Sequence, residues 1–161
     1  MKSAKTASTG TEKALASRKL ASLFMPLTLI ACAEMAAAQP IEVVKSPYCG
    51  CCTQWVEYLR AEGFEVRVVE AEDVTPAARR AGVPDDLRSC HTATVEGYAV
   101  EGHVPAADIR RLLAQRPDAA GIAVPGMPIG SPGMEQGDSR QAYSTILFAH
   151  DGRRQVFARH E

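Results

Sequence analysis

Past residue 38 the sequence is almost without lysine: Lys45 stands alone, and every other basic residue of that stretch is an arginine. Paired arginines occur at Arg79-Arg80, Arg110-Arg111 and Arg153-Arg154, with no aromatic residues interleaved. That pattern excludes the basic, aromatic-studded face of a nucleic-acid-binding protein, and it predicts that these pairs lie on solvated faces of helices or a hairpin. Five of the 18 Lys and Arg and two of the 19 Asp and Glu fall in residues 1–38, which leaves 13 against 17 and a formal net charge of −4. No internal repeat is visible, which argues against a solenoid. No run reaches the roughly 20 apolar residues of a membrane-spanning helix. Nor does spacing define a general acid or base, so no catalytic residue is assigned.

What the N-terminus does contain is an export pattern. Lys2, Lys5, Lys13, Arg18 and Lys19 precede an apolar run from Leu20 to Ala33, and small residues follow at Ala36-Ala37-Ala38. Basic, apolar and small segments in that order read as a secretory signal. Residues 1–38 are therefore expected to be a signal peptide and residues 39–161 a single domain in the periplasm. A second cleavage reading exists, because Leu29-Ile30-Ala31-Cys32 resembles a lipoprotein box, with lipid attachment at Cys32. In both readings Cys32 is outside the folded domain.

From residue 41 the hydrophobic period switches repeatedly. Ile41 to Lys45 reads as a strand. From about Cys51 to Glu62 the pattern is helical, with Trp55, Tyr58 and Leu59 on one face. Phe64 to Val69 alternates and reads as a second strand. Thr75-Pro76 predicts a short helix, with Thr75 as N-cap and the proline in its first turn. Thr92–Val95 and Tyr98–Glu101 flank Glu96-Gly97 and predict a hairpin. A helix is expected from Ala106 to Gln115. Arg116 to Asp138, rich in Pro and Gly, reads as one long irregular loop. Strands from Ser144 to Ala149 and Gln155 to Ala158 form a terminal hairpin.

Cysteine is where the sequence is rich. Three of five stand in Tyr48-Cys49-Gly50-Cys51-Cys52, and a fourth follows in Ser89-Cys90-His91-Thr92. A Cys-x-x-Cys pair where a strand passes into a helix is a redox signature, and Cys49 and Cys52 have that spacing. The element order through about residue 115 resembles the thioredoxin-like fold, a mixed α/β sheet flanked by helices. Members of that fold usually set a cis-proline before the third strand; here Cys90-His91-Thr92 occupies the place. If the fold holds, Cys90 is delivered to the other three thiols.

Three readings of the cysteines follow. A structural disulfide suits an exported protein, although a loop this short constrains little chain. A redox dithiol would use Cys49 and Cys52. A metal site would draw on soft thiolates, which select Cu(I), Zn or iron–sulfur clusters, and thiols at a helix N-terminus are the more readily ionised. Tetrahedral zinc takes ligands in pairs, whereas adjacent Cys51 and Cys52 diverge by roughly 100° around a helix. Sulfurs fanned in this way suit several bridged Cu(I) ions better than one zinc. Cys49, Cys51, Cys52 and Cys90 are the expected metal ligands. His91 is a candidate ligand or tuning group, and His103 a candidate ligand or a helix cap. Met127 and Met134, in a Pro/Gly-braced loop, are candidate thioethers for soft copper. His150 and His160 are expected on the surface, and Trp55 in the core.

Five separated motifs extend the resemblance. Lys45-Ser46-Pro47-Tyr48-Cys49-Gly50-Cys51-Cys52 with Trp55, Ser89-Cys90-His91-Thr92-Ala93, Glu101-Gly102-His103-Val104-Pro105, Pro125-Gly126-Met127-Pro128 and Gly130-Ser131-Pro132-Gly133-Met134-Glu135 resemble the CopG-like copper-resistance proteins, an exported bacterial family. The resemblance implies a thioredoxin-like domain and a multinuclear Cu(I) cluster bridged by Cys49, Cys51, Cys52 and Cys90; it carries no ligand role to the His and Met positions. The leading expectation is a periplasmic copper-binding protein of copper resistance and homeostasis. The alternative is a thiol-disulfide oxidoreductase acting through Cys49 and Cys52. A third reading is a module that passes copper to other periplasmic copper-handling proteins.

Overall fold

Seven strands pair edge to edge into one mixed sheet, in the order β2-β1-β3-β4-β5-β6-β7. The computed structural model describes residues 39–161; the expected signal peptide and Cys32 lie outside the described residues. Strand β1 (Ile41–Lys45) buries Ile41, Val43 and Lys45 on one face. It runs parallel to β2 (Val66–Glu70) and antiparallel to β3 (His91–Val95). Between β1 and β2 lies helix α1 (Gly50–Ala61), whose buried Cys52, Trp55, Val56 and Leu59 fall at the i, i+3, i+4, i+7 spacing of one face.

The hairpin of β3 and β4 (Tyr98–Glu101) turns at Glu96 and Gly97, both at positive φ. Two such residues in a two-residue turn match the right-handed twist of the flanking strands. Helix α3 (Ala106–Gln115) has the expected range and buries Ala106, Ile109 and Leu112. These residues join Trp55, Leu59, Val100, Ile122 and Phe157 in the main core. The sheet is completed by β5 (Gly121–Ala123), parallel to β4, and by the antiparallel pair β6 (Tyr143–Phe148) and β7 (Arg154–His160).

The fold departs from the sequence expectations in three places. The segment read as one loop from Arg116 to Asp138 contains β5. That strand has three residues and depends on close approach, since a Cβ on Gly121 would stand 2.2 Å from the Ala99 carbonyl oxygen. Thr75 is not the N-cap of α2 (Thr75–Arg80) but its first residue. Its amide donates to the Asp73 carboxylate at 2.8 Å, so the stronger acceptor two residues back takes the free N–H. The arginine pairs are exposed on α2, α3 and the terminal hairpin as expected, with Arg111 lying 3.7 Å over the Phe157 ring and Arg154 pairing with Asp86. Finally, His160 is half-buried against Asp108 at 2.9 Å and stacks on Tyr143. His150 is exposed as expected.

Candidate metal centre

The site forms where β1 ends, α1 begins and β3 begins. Ser46-Pro47-Tyr48 turns the chain out of β1, and Cys49 takes the N-cap position of α1, its Sγ accepting the Cys52 amide at 3.3 Å. Cys49 and Cys52 form a disulfide. Cys51 and Cys90 are free thiols. Cys51 Sγ lies 3.5 Å from Cys49 Sγ, and Cys52 Sγ lies 3.6 Å from the carbonyl oxygen of Cys90. All four sulfurs are within 4.8 Å of one another. The sequence expectation that Cys90 reaches the other three is met, and no cis peptide occurs among the described residues.

A second group shares Cys90. Its Sγ is 3.1 Å from His103 Nε2 and 3.4 Å from His91 Nδ1, and both imidazoles are fully buried. His103 Nδ1 is 2.8 Å from the Pro132 carbonyl oxygen. A carbonyl can only accept, so Nδ1 carries the proton and the lone pair of Nε2 faces the sulfur. His103 is therefore no helix cap: it precedes α3 but points back into the cysteine cluster. His91 packs against Trp55 at 4.3 Å and meets His103 edge to face. Its Nε2 is the one buried side-chain N or O among the described residues without a hydrogen-bond partner.

Burial sets the protonation of these groups. It pushes the Cys90 thiol up to about 12, with Cys51 raising it further and the Ser89 hydroxyl opposing. It pulls His91 down to about 3, helped by His103. His103 is also lowered by burial, against its bond to Pro132 and the charge of Glu135. The metal-free centre at neutral pH thus holds a protonated Cys90 thiol and two neutral imidazoles. Neutral imidazole is the form that binds metals, whereas a thiol must lose its proton first.

The Pro/Gly/Met loop straps this centre. Gly126 receives the Ser89 hydroxyl on its carbonyl oxygen, and its amide faces the Arg88 carbonyl. Gly133, at φ +81°, passes so close to α1 that a Cβ there would stand 2.7 Å from the Trp55 amide nitrogen and 2.9 Å from the Cys51 carbonyl oxygen. Met127 and Met134 follow these two anchor glycines directly. Met127 is 53% exposed, while Met134 is half-buried. Two features were given no role at the level of sequence: the Pro132 carbonyl that fixes His103, and Glu101, buried at the end of β4. The visible signal for Glu101 was an acidic residue ending an otherwise apolar strand.

Comparison with known proteins bears on this geometry. Residues 87–134 match a family model described as "Protein of unknown function, DUF411". That segment includes Cys90, both buried histidines and both loop methionines. A solved structure titled "Copper resistance protein copG- Form 2" is 45% identical, covers 76% of this chain and 100% of its own, and superposes with a TM-score of 0.73. The chain belongs to the CopG family of copper-resistance proteins. A second CopG structure, Form 1, is 44% identical over 77% of this chain and 98% of its own, also with a TM-score of 0.73. No curated protein matches. The CopG relationship therefore spans most of the described sheet and is not confined to the short matched segment.

Proposed function

We propose that this protein is an exported, periplasmic copper-binding protein that holds Cu(I) in copper resistance, as a multinuclear cluster bridged by Cys49, Cys51, Cys52 and Cys90 on a thioredoxin-like scaffold. The observation that carries the reading is the convergence of four sulfurs within 4.8 Å, with the His91 and His103 nitrogens equally close to Cys90. Thiolates and imidazoles are soft to borderline ligands, suited to copper. A Cys49–Cys52 disulfide cannot supply two bridging thiolates, so the cluster belongs to the reduced protein: an external dithiol gives up two electrons and two protons, becoming a disulfide itself, and the Cys49–Cys52 bond opens to two thiols, which ionise as copper binds. Met127 and Met134 stand as outer thioethers on the strap. The names of the CopG relatives, copper resistance proteins, support copper as the cargo. The basic and apolar leader supports export; among the described residues no helix is long and apolar enough to cross a membrane.

Anaerobic loading of the reduced mature chain with Cu(I), followed by metal analysis, tests this. More than one copper per chain is expected, and fewer than one would overturn a multinuclear site. The Cys49–Cys52 disulfide at a helix N-cap favours a second reading, thiol-disulfide exchange. That reading requires disulfide reductase turnover that survives in Cys90→Ser, and absence of turnover removes it.

A further inference from the structure

Glu101 is 1% exposed, and a carboxylate is a hard ligand with no part in binding soft copper. Both of its oxygens are nevertheless engaged. Oε1 accepts the backbone N–H of Ser89 at 2.7 Å, and Oε2 accepts the hydroxyl of Thr92 at 2.6 Å. These two donors bracket Cys90 and His91. Ser89 lies before the first residue of β3, where the ladder with β1 and β4 offers its amide no strand partner. Other bonds hold the same segment from different directions. The Gly102 amide donates to the His91 carbonyl at 3.1 Å, and the Ser89 hydroxyl donates to Gly126. Gly102 itself leaves no slack, since a Cβ there would stand 2.7 Å from Ser89 Cβ.

We propose that Glu101 is a positioning residue for the metal centre: its buried carboxylate pins the Ser89–Thr92 segment so that Cys90 Sγ stands between the α1 sulfurs and His103. Two short bonds to one buried acceptor fix both ends of a four-residue arch, and with them the backbone from which the Cys90 side chain departs. Ligands oriented in this way depend on their outer partners, whose loss typically costs roughly 10–100-fold in metal affinity. The copper part of the proposal rests on Cys90 being a copper ligand; the thiol part does not.

The test compares Glu101→Ala, Glu101→Gln and Thr92→Val with the natural chain, using two readouts. The first is the alkylation rate of Cys90 relative to Cys51 in the copper-free protein, its Cys49–Cys52 disulfide intact. The second is Cu(I) affinity of the reduced protein in competition with a chromophoric chelator. Glu101→Ala should raise relative Cys90 alkylation at least about fivefold and weaken Cu(I) binding about tenfold or more. Glu101→Gln, which can accept from Ser89 and donate to the Thr92 oxygen, should return both to within about threefold of the natural values. Unchanged Cys90 reactivity in a folded Glu101→Ala protein overturns the proposal. So does a Gln variant that behaves like Ala, because charge and not hydrogen bonding would then be the cause. If Glu101→Ala fails to fold, Thr92→Val decides: a rise in Cys90 alkylation is expected, and no change overturns the positioning role. Failure of copper reading in the natural chain would show only in the second readout and leave the alkylation result to judge Glu101.

Discussion

The metal centre has two unlike halves. Cys49, Cys51 and Cys52 sit on one helix start, with Cys49 and Cys51 partly exposed, and their separation follows from chain spacing at the first turn of α1. Cys90, His91 and His103 come from the two ends of a hairpin, with both imidazoles buried and each side chain held by something distant: Trp55, Pro132 or neighbouring sulfur. The first half carries its disulfide within a single helix turn. The second has no such bond, and its two imidazoles are fully buried. A local turn thus supplies reactivity, and a packed arch supplies fixed geometry.

The comparison breaks most directly at Cys90, the residue both groups share. Cys90→Ser should weaken Cu(I) binding by at least about a hundredfold, more than outer partners typically contribute, and by more than Cys51→Ser does. Competition titration against a Cu(I) chelator measures both; equal losses would mean that the helix turn alone governs affinity.

Next in size is the strap that joins the halves. Gly133→Ala forces a side chain into the backbone of α1 at positive φ. Strain and overpacking of this kind cost on the order of 2 kcal/mol. Urea unfolding of the metal-free protein should show that loss, whereas Gly137→Ala, with open space around its Cβ, isolates the cost of positive φ alone.

The smallest effect is a pH slope. His91 sits at about 3 in the fold against an ordinary 6.5. Once unfolded it takes a proton below about pH 6.5, so its contribution is complete above that value and is lost as pH falls toward 3. His103, also lowered, acts in the same direction. Glu101, raised by burial, acts in the other: its contribution is present below its ordinary 4.5 and is lost as pH rises. In metal-free protein, His91→Phe should flatten the stability slope between pH 6 and 4 by on the order of 1 kcal/mol per pH unit. Urea midpoints across that range check it, and an unchanged slope would mean that the buried ring does not govern acid sensitivity.

Much of the scaffold was legible before folding was considered. β1 and α3 have the ranges that periodicity predicts, and Glu96-Gly97 marks its hairpin, because these signals repeat within a few residues. Strand β5 was hidden: three residues in a Pro/Gly-rich stretch have no period, and Gly121 is selected by contact with Ala99, far away in the chain. His160 was misplaced for a similar reason, since its partner Asp108 lies on α3. The candidate ligands divide in the same way. Cys49, Cys51 and Cys52 announce themselves by spacing, and Cys90 by its place before β3. By sequence His103 is a candidate ligand or a cap of α3; in the fold the Pro132 carbonyl fixes its proton and turns Nε2 to the sulfur.

Residue spacing was enough to establish a short-range thiol cluster and the alternation of strands and helices, since each is a property of neighbours along the chain. The buried half of the centre had to wait for the folded sheet. The register that brings Glu101 to Thr92 follows from the two-residue turn at Glu96-Gly97, but only the fold lays the strap's Pro132 on His103 and sets Trp55 of α1 against His91. Those two contacts join residues 29 and 36 positions apart, and sequence periodicity carries no record of distances across such separations.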